Sequence, residues 1–164
     1  ESIARSSGLF PTISQMKEMY KANKKGKSSL YTDYMIFSPE VPVFRLDDGT
    51  FLKEPNLISV ITSPAVHAGN VRLFERKNIE QIEPVMKQRI LKILALAKEQ
   101  KQEALVLGAF GCGIFKNDVE MVARLFKEAL EDRRFKGQFK KVVFAIYESK
   151  PEKPQLNTFS KTFK

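Results

Sequence analysis

Cysteine and histidine are almost missing from this chain. Cys112 and His67 are the single representatives of each, and tryptophan is absent. One cysteine excludes an internal disulfide framework and fits a reducing compartment, so the expected location is the cytoplasm. One cysteine beside one histidine leaves too few soft ligands for a Cys/His metal site. No apolar run approaches the ~18 residues that a membrane-spanning helix needs, and no signal peptide is visible. Acidic residues are in short supply: 19 Asp and Glu face 28 Lys and Arg, a formal net charge of +9. That balance favours anionic partners such as nucleic acid, polyphosphate or another acidic polymer, or serves solubility alone. The first residue is Glu1 instead of methionine, so the expectation is a processed or fragmentary chain.

What is present is ordinary for a globular protein, with 43% hydrophobic and 29% charged residues. A chain of 164 residues is expected to be one domain, burying roughly 70% of its unfolded surface. Thr12 and Gln15 read as a capping-box pair before Ile13, Met16 and Tyr20, predicting a helix over 12–23. Residues 21–29 are basic and glycine-broken, an exposed loop. The aromatic and β-branched stretch from Tyr31 is interrupted by Pro39 and Pro42, which suits short edge strands around a turn at Asp47-Asp48-Gly49. Leu57–Thr62 reads as a buried strand, and residues 65–78 as a polar connection. Pro84 falls in the first turn of the longest helix, where Met86, Ile90, Ile93 and Ala97 form one apolar stripe. Leu105–Leu107 and Val142–Tyr147 read as further buried strands. A helix over 118–132 carries Val119, Val122, Phe126 and Ala129, and Leu156, Phe159 and Phe163 mark a closing helix. Strands alternating with long helices predict an α/β layered sheet with its ligand beyond the strands' carboxyl ends.

The densest signal is Ala104–Val122, ALVLGAFGCGIFKNDVEMV. Gly108, Gly111 and Gly113 fall within six residues, so the main chain can approach a ligand closely. Asn117 and Glu120 are spaced as the N-cap and N3 residues of the following helix. A glycine loop facing a helix N-terminus offers unpaired N–H groups and a positive dipole end to a phosphate or diphosphate. The spacing G-x-x-G-x-G is neither the dinucleotide fingerprint nor a Walker loop, because no G-K-[ST] follows.

The full string GAFGCGIFKND between a VLG strand and a helix resembles the macrodomain superfamily, and within it the microbial-type poly(ADP-ribose) glycohydrolases. ESIARSSGLFPTI, YTDYMIFSPEVPVFR, SVITSPAVHAG and KKVVFAIYE extend the resemblance over most of the chain. It implies a macrodomain-like three-layer sandwich, a central mixed sheet with helices on both faces. It also implies hydrolysis of ribose–ribose O-glycosidic bonds in poly(ADP-ribose), releasing ADP-ribose without a cofactor or metal. By the same resemblance Gly108, Phe110, Gly111, Cys112, Gly113, Ile114, Phe115 and Tyr147 are ADP-ribose-binding residues. Main-chain donors from Gly111, Cys112, Gly113 and Ile114 would hold the diphosphate. Phe115 would pack on the adjoining ribose and Tyr147 would lie near adenine, unless either simply packs in the core.

The family's catalytic motif is a glycine triplet followed by Gln-Glu-Glu, whose last glutamate precedes a sequence similar to SIARSSGLFP. Glu1 therefore aligns with the catalytic glutamate. The upstream part of the motif lies outside the chain, so the resemblance also leaves open an ADP-ribose-binding module without activity, a domain lacking its N-terminal part. A nucleophilic Cys112 would need a base, and His67, read as a satisfied surface imidazole, is the sole imidazole. Asp118 reads as a capping carboxylate over a metal ligand. The expected partners are ADP-ribose, its polymer and ADP-ribosylated proteins. Nucleic acid is a third option, carried by Arg133, Arg134, Lys136, Lys140 and Lys141 and by Lys21, Lys24, Lys25 and Lys27.

Overall fold

The computed structural model describes residues 2–149 and 151–164, in two compact units. Of the described residues, the first comprises 2–27 and 32–64, the second 28–31, 65–149 and 151–164. Glu1 lies outside the described residues. The class is mixed α/β. Both strand directions are found, in one antiparallel and one parallel two-stranded sheet.

In the first unit, α1 (Ser2–Ser6), α2 (Leu9–Gln15) and α3 (Glu18–Lys25) precede a long hairpin of β1 (Ile36–Arg45) and β2 (Phe51–Thr62). The helix expected over 12–23 is two helices. Met16 turns out of the helical region with ψ at 75°. Thr12 and Gln15 do not cap either one: Thr12 Oγ1 donates to the Gly8 carbonyl at 2.8 Å and Gln15 Nε2 to the Pro11 carbonyl at 3.0 Å, both inside α2 or its start. The hairpin turn falls where Asp47-Asp48-Gly49 places it. Gly49 takes φ of +92°, and Asp48 Oδ1 accepts the Thr50 N–H at 2.8 Å. Pro39 is tolerated because the register slips between Ser38 and Val41, a bulge at which Glu40 adopts positive φ. Leu57–Thr62 is the end of β2 and is not buried. Leu57 and Ile58 are exposed.

The second unit is built on helix packing. After α4 (Ala68–Phe74) and a 3-10 turn (Arg76–Gln81) comes α5 (Ile82–Glu99), followed by β3 (Ala104–Leu107), α6 (Val119–Glu131), β4 (Lys141–Phe144) and α7 (Pro154–Thr162). The stripe Met86, Ile90, Ile93 and Ala97 is buried as its period requires, against Val122, Leu125, Phe126 and Ala129 of α6. Each large apolar side chain enclosed there contributes about 1.5–3 kcal/mol. Arg89 lies on the same stripe and is fully buried, its Nη2 donating to the Tyr31 carbonyl at 3.2 Å. Residues 65–78 are not a polar connection: Ala65, Val66, Ala68 and Val71 are buried and most of the segment is helical.

β3 and β4 pair in parallel, Leu105 opposite Val142 and Val106 opposite Val143. Leu105 is buried but Val106 is 75% exposed, so the pair is covered on one face instead of two. Phe144 reaches the closing helix as expected, its ring 5.3 Å from Phe126, 5.0 Å from Phe159 and 4.6 Å from Phe163. The strand expected over 142–147 stops at Phe144. Tyr147 beyond it is 90% exposed and does not pack in the core.

Candidate functional site

The loop 108–118 leaves the carboxyl end of β3 and enters α6. Its path is set by Gly111, whose φ is +71°. A Cβ at that residue would stand 2.5 Å from Asn117 Nδ2 and 2.6 Å from Ala65 Cβ. Glycine is therefore required twice, by backbone angle and by space. Gly113 differs: its φ is not positive and nothing lies within 4 Å of where its Cβ would be. Gly108 would meet the Ala145 carbonyl at 3.6 Å, an ordinary contact.

Asn117 is not the helix cap. Asp118 takes that role, its Oδ1 accepting the Met121 N–H at 2.7 Å. Asn117 instead points inward, 4% exposed, and its Nδ2 donates to the Val66 carbonyl at 2.7 Å and the Gly111 carbonyl at 3.0 Å. Its own N–H also donates to Gly111, at 3.1 Å. Among the described residues Asn117 Oδ1 has no partner, a desolvation cost of about 1–3 kcal/mol. That cost is of the same size as what its two donors contribute, so the amide adds little net stability. Its effect is to fix the Gly111 carbonyl.

α4 holds the far side of the loop. Gly69 N–H donates to the Phe115 carbonyl at 3.0 Å, and Arg72 Nη1 to the Lys116 carbonyl at 2.9 Å. His67 caps α4, its Nδ1 accepting the Asn70 N–H at 3.2 Å, and its ring stacks on Phe115 at 4.5 Å between centroids. Tyr31 lies 6.1 Å from the other ring of that pair, Phe115. Glu75, at the end of α4, binds the Tyr31 segment through Ser28 Oγ at 2.7 Å and Ser29 N–H at 2.6 Å. Burial opposes its charge, yet these bonds and one from Asn78 hold its carboxyl down at about 2.

With its carbonyls engaged in this way, the loop leaves N–H groups over. Among the described residues those of Gly108, Ala109, Phe110, Gly111, Gly113, Ile114 and Phe115 make no hydrogen bond, whereas the Cys112 N–H is taken by the Ala109 carbonyl at 3.0 Å. Gly113 and Ile114 are exposed and Cys112 is buried. Burial, and then the nearby Asp118 carboxylate, push the Cys112 thiol up to about 12, leaving no thiolate for nucleophilic attack near neutral pH. Sequence reasoning missed Asn117 as a loop support and missed α4 altogether. The G-x-x-x-x-x-N spacing from Gly111 was the available signal for the first, and the small apolar run at Ala65, Val66 and Ala68 for the second. No group of three or more His, Cys, Asp or Glu among the described residues could hold a metal ion, and no helix there is long and apolar enough to cross a membrane.

Residues 1–46 match the family model for the catalytic domain of microbial-type PARG. The poly(ADP-ribose) glycohydrolase of Deinococcus radiodurans, solved in complex with ADP-ribose, is 39% identical with a TM-score of 0.94, over 98% of this chain and 65% of that one. In its apo form the same protein is matched at 39% identity and a TM-score of 0.94, over 99% of this chain and 67% of that one. The glycohydrolase of Thermomonospora curvata is 38% identical with a TM-score of 0.91, over 99% of this chain and 59% of that one. The chain thus spans about two thirds of the length of the solved structures it matches. No curated protein matches it. Near-complete superposition at this identity fixes the kinship: the chain belongs to the microbial-type poly(ADP-ribose) glycohydrolase family.

Proposed function

We propose that residues 1–164 act as one glycohydrolase domain that hydrolyses ribose–ribose O-glycosidic bonds of poly(ADP-ribose) and releases ADP-ribose. One observation carries the reading: a run of loop amides without partners at the carboxyl end of β3, those of Gly111, Gly113, Ile114 and Phe115 among them, in a chain 39% identical to a protein solved with ADP-ribose. Gly111, Gly113, Ile114 and Phe115 are the diphosphate donors of this proposal. Cys112 contributes by holding the turn, since its own N–H is engaged. The Asp118 carboxylate stands at the start of α6, so the anion is held by loop amides and not by the helix N-terminus. Phe115, stacked on His67, would present its free edge to the ribose. Gly108 and Phe110 line the approach, and the exposed ring of Tyr147 is available to adenine.

Glu1 is the proposed catalytic residue. Cleavage generates an oxocarbenium-like centre and requires a proton on the departing ribose oxygen. One carboxyl group supplies that proton and then accepts one from the attacking water. The reaction needs no cofactor. The single cysteine, Cys112, suits the cytoplasm. ADP-ribose, its polymer and proteins carrying it are the proposed partners; the basic surface serves nucleic acid only as a second option. The test is release of ADP-ribose from poly(ADP-ribose), with Glu1→Ala as control. Activity that survives the substitution removes Glu1 from the mechanism, and absence of both activity and ADP-ribose binding removes the whole reading.

A further inference from the structure

We infer that Asn117 is a positioning residue for the anion-binding loop, a clamp that holds the Gly111 carbonyl and with it the turn that directs the free loop amides. This inference rests on the proposed ADP-ribose reading. Both protons of the Asn117 amide are committed, to Val66 at 2.7 Å and to Gly111 at 3.0 Å, and the Asn117 N–H adds a third bond, again to Gly111, at 3.1 Å. The amide orientation is fixed by chemistry, because the reversed amide would set Oδ1 against two carbonyl oxygens.

The clamp matters because of where it acts. Gly111 has a glycine's conformational freedom, and its carbonyl belongs to the peptide that leads into Cys112 and Gly113. If that peptide rotated, its Cys112 N–H would leave the Ala109 carbonyl, and the turn that sets the direction of the following Gly113, Ile114 and Phe115 amides would open. Two of the three bonds from Asn117, one from its main chain and one from its side chain, end on the Gly111 carbonyl and hold that peptide. The third ties the same amide to Val66, directly before His67 and α4. One side chain thus joins the two segments that carry the loop.

The test compares ADP-ribose affinity and thermal unfolding for the unaltered chain, Asn117→Ala and Asn117→Asp, between pH 5 and pH 8. Loss of the side-chain bonds is expected to weaken binding about tenfold in Asn117→Ala at every pH. In Asn117→Asp the ionised carboxyl repels both carbonyls, while its protonated form regains one O–H donor. Burial and those carbonyls favour the protonated form, so affinity should fall as pH rises and recover as pH drops. A merely structural residue would not give the Asp variant this binding profile at temperatures where both variants are folded. Wild-type affinity in folded Asn117→Ala, or an equal deficit at all pH values in Asn117→Asp, overturns the inference. Should either variant fail to fold, the unaltered protein still decides: the Asn117 side-chain protons must exchange slowly with solvent, and free exchange rules the clamp out. Failure of the unaltered chain to bind ADP-ribose refutes the ADP-ribose reading, while the proton exchange still tests the clamp.

Discussion

Gly111→Ala and Gly113→Ala should separate what the loop needs for folding from what it needs for its ligand. At Gly111 a methyl group would stand 2.5 Å from Asn117 Nδ2 and 2.6 Å from Ala65 Cβ, on a backbone with φ of +71°. A non-glycine residue in the left-handed region costs about 1–2 kcal/mol, and overpacking a buried contact adds about 1–3 kcal/mol. Asn117 and Ala65 are themselves buried and have little room to yield, so the expected loss is about 3–4 kcal/mol, near 10 °C in Tm for a chain of this size. At Gly113 the methyl group would enter open space, and stability should stay within about 0.5 kcal/mol. ADP-ribose binding should nevertheless weaken at least tenfold there, because the methyl group would occupy the approach to the free amides. Chemical denaturation followed by circular dichroism, with calorimetric titration of ADP-ribose, reads both effects. Gly111→Ala as stable as the unaltered chain, or Gly113→Ala binding with full affinity, would refute the reasoning.

Other outcomes follow from the same structure. Glu75 ionises at about 2 when folded against 4.5 ordinarily; its stabilisation is complete above pH 4.5 and disappears as pH falls toward 2. Acid titration of unfolding free energy should therefore be shallower in Glu75→Gln, and an unchanged slope would contradict the assignment. Cys112, with its thiol held near 12, should resist alkylation at pH 8 in the native state and react once urea unfolds the chain. Rapid native labelling would show the thiol to be accessible. Phe159→Ala, which removes a buried ring packed against Phe144 and Phe163, should lower stability by about 3–5 kcal/mol in denaturant melts.

The helical parts of this fold were legible because their cores are periodic. Met86, Ile90, Ile93 and Ala97 announced α5 and its buried face, and Phe159 with Phe163 announced α7. Arg89 escaped notice because a charged residue on an apolar stripe reads as solvent-facing, although the 3.6-residue period put it inside. The strands were harder. An apolar run such as Leu57–Thr62 signals a strand but not what covers it, and in this unit Leu57 and Ile58 stay exposed. Residues 65–78 read as a connection because their buried side chains are small, Ala65 and Val66 before α4 and Ala68 and Val71 within it, and leave only a weak periodic signal. At the loop the string GAFGCGIFKND located the candidate site, but composition could not tell which amides were already bonded. Asn117 and Asp118 are both good caps, and only packing decided that Asp118 caps α6 while Asn117 turns inward against Gly111.

The central claim is that main-chain amides of the glycine loop grip a diphosphate. Titrating ADP-ribose into the isotopically labelled chain and following amide exchange residue by residue tests it most directly. Gly111, Gly113, Ile114 and Phe115 should exchange rapidly without ligand and become protected at saturation, while Cys112, already bonded to Ala109, should change little. Protection that appears elsewhere in the chain while these four amides stay unprotected would contradict the claim.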